Sequence, residues 1–244
     1  MLKTSGHVKK HYKACCTIFD AFKKGKTFEA YLAEIEKWAT KIADPDERNI
    51  FRGDMLEILA EMFFGAFAND PAVGITGYTP IPLPEDYGVD GVGKNAAGTD
   101  CAVQVKYRGD PTDLVTYSEI ARTFTSAILQ RGLPLYNGSD NIFIFTSAYD
   151  VTVACKTVMG NKIHVLSRGI IQNKIDNNVS FWGYAFNEIC TVFNQGGLMS
   201  HVSEQAEKEG VCPTCKGKLT VTVEGEEKKC PDCKGMGIKV DEIY

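Results

Sequence analysis

Apolar residues at Phe28, Leu32, Ile35, Ala39 and Ile42 recur at three- and four-residue steps, which predicts an amphipathic helix opening at Thr27. Asp44-Pro45-Asp46-Glu47 starts a second helix, with Asp44 as N-cap, Pro45 at the first helical position and Glu47 where a capping glutamate belongs. This helix is expected to run to about Phe67. Phe51, Met55, Ile58, Leu59, Met62 and Ala66 form its broad apolar face, and Asp54, Glu57 and Glu61 are expected on the opposite, solvated side. From Cys101 to Arg108 the period changes to two: Cys101, Val103, Val105 and Tyr107 fall on one face of a strand, Gln104, Lys106 and Arg108 on the other.

That strand closes a hairpin. Thr76 to Pro84, with prolines at 80, 82 and 84, cannot be a central strand. Asp86 to Gly93 follows, then a turn at Asn95-Ala96-Ala97-Gly98, so that Asp90 begins one arm and Gln104 and Lys106 lie on the other. Downstream, Thr116-Tyr117-Ser118-Glu119 is a capping box for a helix that stops at Gly132. Asn141 to Ser147 is an apolar run of buried-strand length, Asp150 is placed to cap a short helix ending at Gly160, and Lys162 to Ser167 is another strand. Strand, helix and strand at this spacing imply a parallel pair, hence an α/β domain with a mixed sheet flanked by helices. A helical close from Ile170 to about Phe193 carries Phe181, Trp182, Tyr184, Phe186 and Phe193, read as a cover over the core.

Charge and cysteine content add organisation. The net charge of -4 excludes binding of nucleic acid through bulk positive charge, yet seven lysines face one aspartate in residues 1–26, a basic N-terminal arm. Lys9, Lys10 and Lys13 of that arm are candidate phosphate contacts. No run of about 18 apolar residues is present and the basic N-terminus lacks the apolar segment of a signal peptide, so a cytoplasmic location without membrane partners is expected. Of nine cysteines, Cys15, Cys16, Cys101, Cys155 and Cys190 lie among apolar residues as small hydrophobes. Cys212, Cys215, Cys230 and Cys233 form two CxxC pairs flanking a predicted hairpin through Leu219–Val223, a set suited to a structural Zn²⁺.

The hairpin carries the candidate chemistry. Hydrolysis of a phosphodiester needs an activated water, compensation of charge at phosphorus and help for the leaving oxygen, and Mg²⁺ bound by oxygen ligands contributes to all three. Asp90 would be its main ligand, Gln104 a neutral side-chain ligand and the Val105 carbonyl a further one. Lys106 would orient the attacking water and steady the phosphate, and Arg108 would hold a neighbouring phosphate. Glu57 or Glu61 could supply a second carboxylate.

The order Gly53-x-x-x-Glu57, Gly88-Val89-Asp90-Gly91, Val103-Gln104-Val105-Lys106, Phe145-Thr146-Ser147 and Ile163 to Ser167 resembles the Mrr-like catalytic domain of the PD-(D/E)xK nuclease superfamily. The likeness spans roughly residues 27–175. It implies a restriction endonuclease-like fold, selects Glu57 over Glu61, and implies a catalytic set of Glu57, Asp90, Gln104 and Lys106 with Mg²⁺ as cofactor. The cysteine pairs are similar to zinc ribbons and to the CxxCxG elements of DnaJ-type domains. The expected organisation is therefore a basic arm (1–26), a nuclease domain (27–197), a linker (198–210) and a zinc-binding module (211–244). The expected activity is Mg²⁺-dependent endonucleolytic cleavage of DNA, with a homodimer or two successive events needed to cut both strands. A resolvase for branched DNA, or a non-catalytic nucleic-acid-binding adaptor on the same fold, are the alternatives.

Overall fold

The computed structural model describes residues 2–81, 88–133, 140–193, 220–223 and 226–229, and the chain divides into two compact units, Met1–Ile189 and Cys190–Tyr244. In the first unit a five-stranded sheet runs in the order β1 (Ile75–Pro80), β2 (Gly91–Asn95), β3 (Asp100–Lys106), β4 (Ile142–Thr146), β5 (Ile163–Leu166). The first two pairings are antiparallel and the last two parallel, so β3 is the strand at which the direction changes. The mixed α/β sheet expected from the strand spacing is thus present. Both faces of β3 are buried, however, where the alternation suggested one polar face. Cys101, Val103 and Val105 pack toward one layer, while Ala102 joins Ile120, Ala127, Ile142 and Ile144 in the other.

Helix α4 (Pro45–Ala66) lies on the first of those layers and starts as read, Asp44 accepting from the backbone N–H groups of Asp46 and Glu47 at 2.8 and 2.9 Å. It is buried around most of its circumference, Leu56, Ile58, Leu59, Ala60, Phe63 and Phe64 included. Asp54, expected in solvent, is only 4% exposed. On the other layer, α5 (Tyr117–Arg131) begins at the Thr116–Glu119 capping box and ends at Gly132 with φ of 62°. The short α6 (Val153–Met159) is capped by Thr152, whose hydroxyl accepts from Cys155 N–H at 3.3 Å, and not by Asp150, which lies two residues too early.

Residues 4–26 are folded into the body rather than forming an arm. Helices α1 (Ser5–Lys10) and α2 (Tyr12–Phe22) bury Val8, Cys15, Ile18, Phe19 and Phe22 beside α3 (Phe28–Ala39). The C-terminal cover is two helices, α7 (Arg168–Ile175) and α8 (Val179–Val192), broken where Asn177 adopts φ of 56° and donates to the Lys26 carbonyl at 2.9 Å. Trp182 of α8 rests on Phe22 (4.9 Å), Tyr31 (5.8 Å) and Phe19 (6.4 Å), and its indole N–H lies 2.8 Å from each of the Lys26 and Ile175 carbonyls.

In the second unit, β6 (Thr220–Val223) and β7 (Glu226–Lys229) pair antiparallel, as expected of the hairpin between the cysteine pairs. Cys212, Cys215, Cys230 and Cys233, and the expected linker, lie outside the described residues. Among the described residues no helix is long and apolar enough to cross a membrane. Because Trp182 joins α8 to α2 and α3, Trp182→Ala should destabilise that unit by about 3–5 kcal/mol in a urea titration; a loss below about 1 kcal/mol would show that α2 and α3 do not depend on this contact.

Candidate functional site

Asp90 immediately precedes β2, its backbone N–H donating to the Val103 carbonyl (3.0 Å) and its carbonyl accepting from Ile81 N–H (2.9 Å). The paired register of β2 and β3 ends at Gly91 and Val103. One step further, the Asp90 side chain takes over, its Oδ2 accepting from Val105 N–H at 2.5 Å and from the Gln104 amide nitrogen. Asp90 (8% exposed) and Gln104 (3%) are therefore brought together as expected. Val105 contributes its N–H to this contact. The Gln104 oxygen is turned away, accepting from the Thr123 hydroxyl of α5. Thr123 also lies 3.4 Å from the Glu119 carbonyl, so its hydroxyl can donate there and accept from Gln104 instead. A half-turn of the Gln104 amide then aims its oxygen at Asp90, an arrangement that two oxygens tolerate when a cation lies between them.

Lys106 ends β3 on the Gln104 face, half-buried, its carbonyl accepting from the Thr146 hydroxyl (2.8 Å) and Ser147 N–H (3.3 Å). Its ammonium makes no ion pair with a described residue. Arg108 is engaged elsewhere: its guanidinium donates to Glu119 at 2.6 Å and lies 3.3 Å from Asp113, fixing the start of α5. Burial tends to raise the Glu119 carboxyl, but the Thr116 N–H, Arg108 and the Thr116 hydroxyl together hold it below its usual range. Arg108 is thus a structural anchor rather than an open phosphate contact.

The α4 acids separate by partner. Glu61 receives Lys3 N–H (2.7 Å), Thr4 N–H (2.9 Å) and the Thr4 hydroxyl (2.7 Å), which makes it a cap for the start of α1. Glu57 lies 3.2 Å from His7 Nε2, and His7 Nδ1 is 3.3 Å from Asp54. Asp54 also takes Lys10 (2.9 Å) and His11 (2.7 Å). Hydrogen bonding to Asp54 and then Glu57 raises His7 to about 10, and although burial works against the Asp54 charge, His11 and His7 hold that carboxyl well below its usual range. Of the three proposed arm contacts, Lys10 is paired in this way and Lys9 is exposed on α1.

Tyr78 connects Asp90 with α4. The register of β1 against β2 shifts between Thr76 and Thr79, at Gly77 with φ of 62°, and such a bulge re-aims the residue beside it. The Tyr78 ring packs on Phe64 at 4.6 Å and over Gly91, where any Cβ would collide with it. Its hydroxyl is buried without a hydrogen-bond partner among the described residues. Burial pushes its pKa well above the usual value, and the charges of Asp90, Glu57 and Glu61 push it further. The buried Tyr78 hydroxyl is thus an unpartnered polar group, among the described residues, that feels the charges of Asp90 and of two α4 acids. Among the described residues no three His, Cys, Asp or Glu side chains already converge as a metal cage, since Glu57 is turned to His7 and Asp90 to amide donors. Compared with family models and with curated proteins, the chain matches none.

Asp54, His7, His11, Thr123 and Tyr78 had not been singled out from the sequence as parts of this region. Asp54 had a readable signal: it stands three residues after Phe51 and four before Ile58, both buried, so an acid there has to find positive partners. His7 holds its proton more tightly folded than unfolded, so its stabilisation is complete below pH about 6.5 and is lost as pH rises toward about 10. In urea titrations the stability difference between wild type and His7→Gln should shrink across that window; a difference constant from pH 6 to 10 would rule the ion pair out.

Proposed function

We propose that the chain is a Mg²⁺-dependent endodeoxyribonuclease of restriction endonuclease-like fold, acting at Glu57, Asp90, Gln104 and Lys106. What supports this reading most is the buried Asp90 carboxylate bonded across the hairpin to Gln104, with the Lys106 ammonium, which pairs with no described residue, next on the same face of the strand. Mg²⁺ supplies a Lewis acid for the phosphoryl oxygens and a bound water of lowered pKa. Asp90 and the Gln104 oxygen, after its amide turns, hold the ion, with the Val105 carbonyl as a further ligand and Glu57 joining once released from His7. Lys106 orients the attacking water and offsets the charge that builds on the phosphate. A structural Zn²⁺ on Cys212, Cys215, Cys230 and Cys233 completes the proposal, and one catalytic centre per chain calls for a homodimer, or two events, to cut both strands.

One observation favours the adaptor reading as second choice: Glu57 is ion-paired to His7 and Gln104 presents nitrogen, not oxygen, to Asp90. A resolvase shares the same site and differs in substrate. Plasmid, base-modified DNA and a four-way junction, each incubated with Mg²⁺ or EDTA, separate these. Metal-dependent cleavage is expected, slowed about 100-fold or more in Lys106→Ala and Asp90→Asn. No cleavage of any substrate would leave the adaptor, and equal rates in wild type and Lys106→Ala would overturn the site.

A further inference from the structure

A surface hollow of about 260 Å³ lies where the turn into α2 faces the end of α3 and the first half of α4. Its walls are of two kinds: Lys10, Lys13 and Lys41 bring positive charge, and Tyr12, Trp38 and Phe51 bring aromatic rings. Tyr12 and Trp38 are half-buried. The Lys41 ammonium stands 4.0 Å from the centre of the Trp38 ring and that of Lys13 stands 5.9 Å from that of Tyr12. Asp54 neutralises Lys10, whereas Lys41 makes no ion pair with a described residue.

The two kinds of wall restrict the occupant. An inorganic anion would use the lysines and leave the rings unused, and an apolar peptide would set methyl groups against ammonium ions. A planar ring joined to an anion satisfies both, and the volume, just under the ~300–1,000 Å³ of small-molecule sites, admits one such unit. We propose that the hollow binds a single nucleotide unit, its base on Trp38 and its phosphate on the Lys41 ammonium. A cation on an exposed ring is held more weakly than a stacked base, so the base displaces Lys41, whose ammonium then meets the phosphate. Phe51 at the hollow and Glu57 are six residues apart on one helix, about 9 Å at 1.5 Å per residue. Six residues also turn the helix by about 600°, which leaves Phe51 and Glu57 about 120° apart around α4, so nucleotide binding at the hollow stands apart from the nuclease reading.

The test uses the full chain in EDTA, where no cleavage is needed. Adenosine monophosphate, a short single-stranded oligodeoxynucleotide, its duplex and inorganic phosphate are titrated by calorimetry. The mononucleotide or the single strand should bind, and Trp38→Ala should weaken that binding about fivefold to a hundredfold, the range for one base–aromatic stack. Lys41→Glu, exposed and outside the core, should weaken it too while leaving the urea midpoint unchanged. Tighter binding of the single strand identifies a nucleotide within a chain, tighter binding of the mononucleotide a free one, and equal binding supports the nucleotide unit itself. Absence of binding, binding of duplex alone, inorganic phosphate binding as tightly as adenosine monophosphate, or no effect of Lys41→Glu would overturn the proposal. Such a failure leaves the nuclease reading standing, because that reading is decided by Mg²⁺-dependent cleavage and Lys106.

Discussion

A carboxylate taken out of water must be given positive charge, and Asp54 is where this chain meets that requirement. Its position on α4 faces the core, and its compensating groups, His7, Lys10 and His11, all come from the first eleven residues. The N-terminal helices are therefore fixed to α4 by a charge that cannot be left alone. With them come Val8, Cys15, Phe19 and Phe22, and through Trp182 the end of the first unit. The same imidazole reaches Glu57, so the group that neutralises the core acid also engages the helix acid of the proposed site.

The sheet side of the site depends on a different economy of space. Gly91 has no side chain because the Tyr78 ring lies over it, and Tyr78 is there because a bulge at Gly77 turns it inward. These two glycines have separate reasons, one close approach and one positive φ, and both serve to bring a hydroxyl beside Asp90. On the opposite layer, Thr123 and Glu119 of α5 hold Gln104 and Arg108 respectively. The site is thus held between two layers of helices, with β3 as the common support.

Much of the architecture was legible because its causes are local. The caps at Thr27, Asp44 and Thr116, the stop at Gly132 and the hairpin before Gln104 each follow from a few neighbouring residues. The joining of Asp90 to Gln104 was readable for the same reason, both lying on one hairpin. What escaped were consequences of burial and distance in sequence. Periodicity placed Asp54 on the wet side because an acid was assumed to want water, and it could not show that His7 lies against it across 47 positions. Arg108 lies two residues beyond the end of β3, where the expected alternation no longer applies, and its partner belongs to a helix cap, which strand periodicity does not encode. The break at Asn177 had a local signal, the turn-forming run Asp176-Asn177-Asn178, which the helical spacing of Ile171, Ile175 and Trp182 overrode.

The switch of direction at β3 also bears on how the molecule assembles. Asp90 and Gln104 are fourteen residues apart on an antiparallel hairpin, a short loop to close, whereas β3 meets β4 only after α5 has been crossed, and Glu57 arrives from a helix more than thirty residues upstream of the hairpin. Local closure is entropically cheaper than distant closure, so the carboxylate–amide pair can form as a unit before the helices on either layer have docked. The chain thereby separates the shaping of its most polar buried contact from the collapse that buries it, and an Asp90 already bonded to its strand enters the core with its hydrogen bonds made.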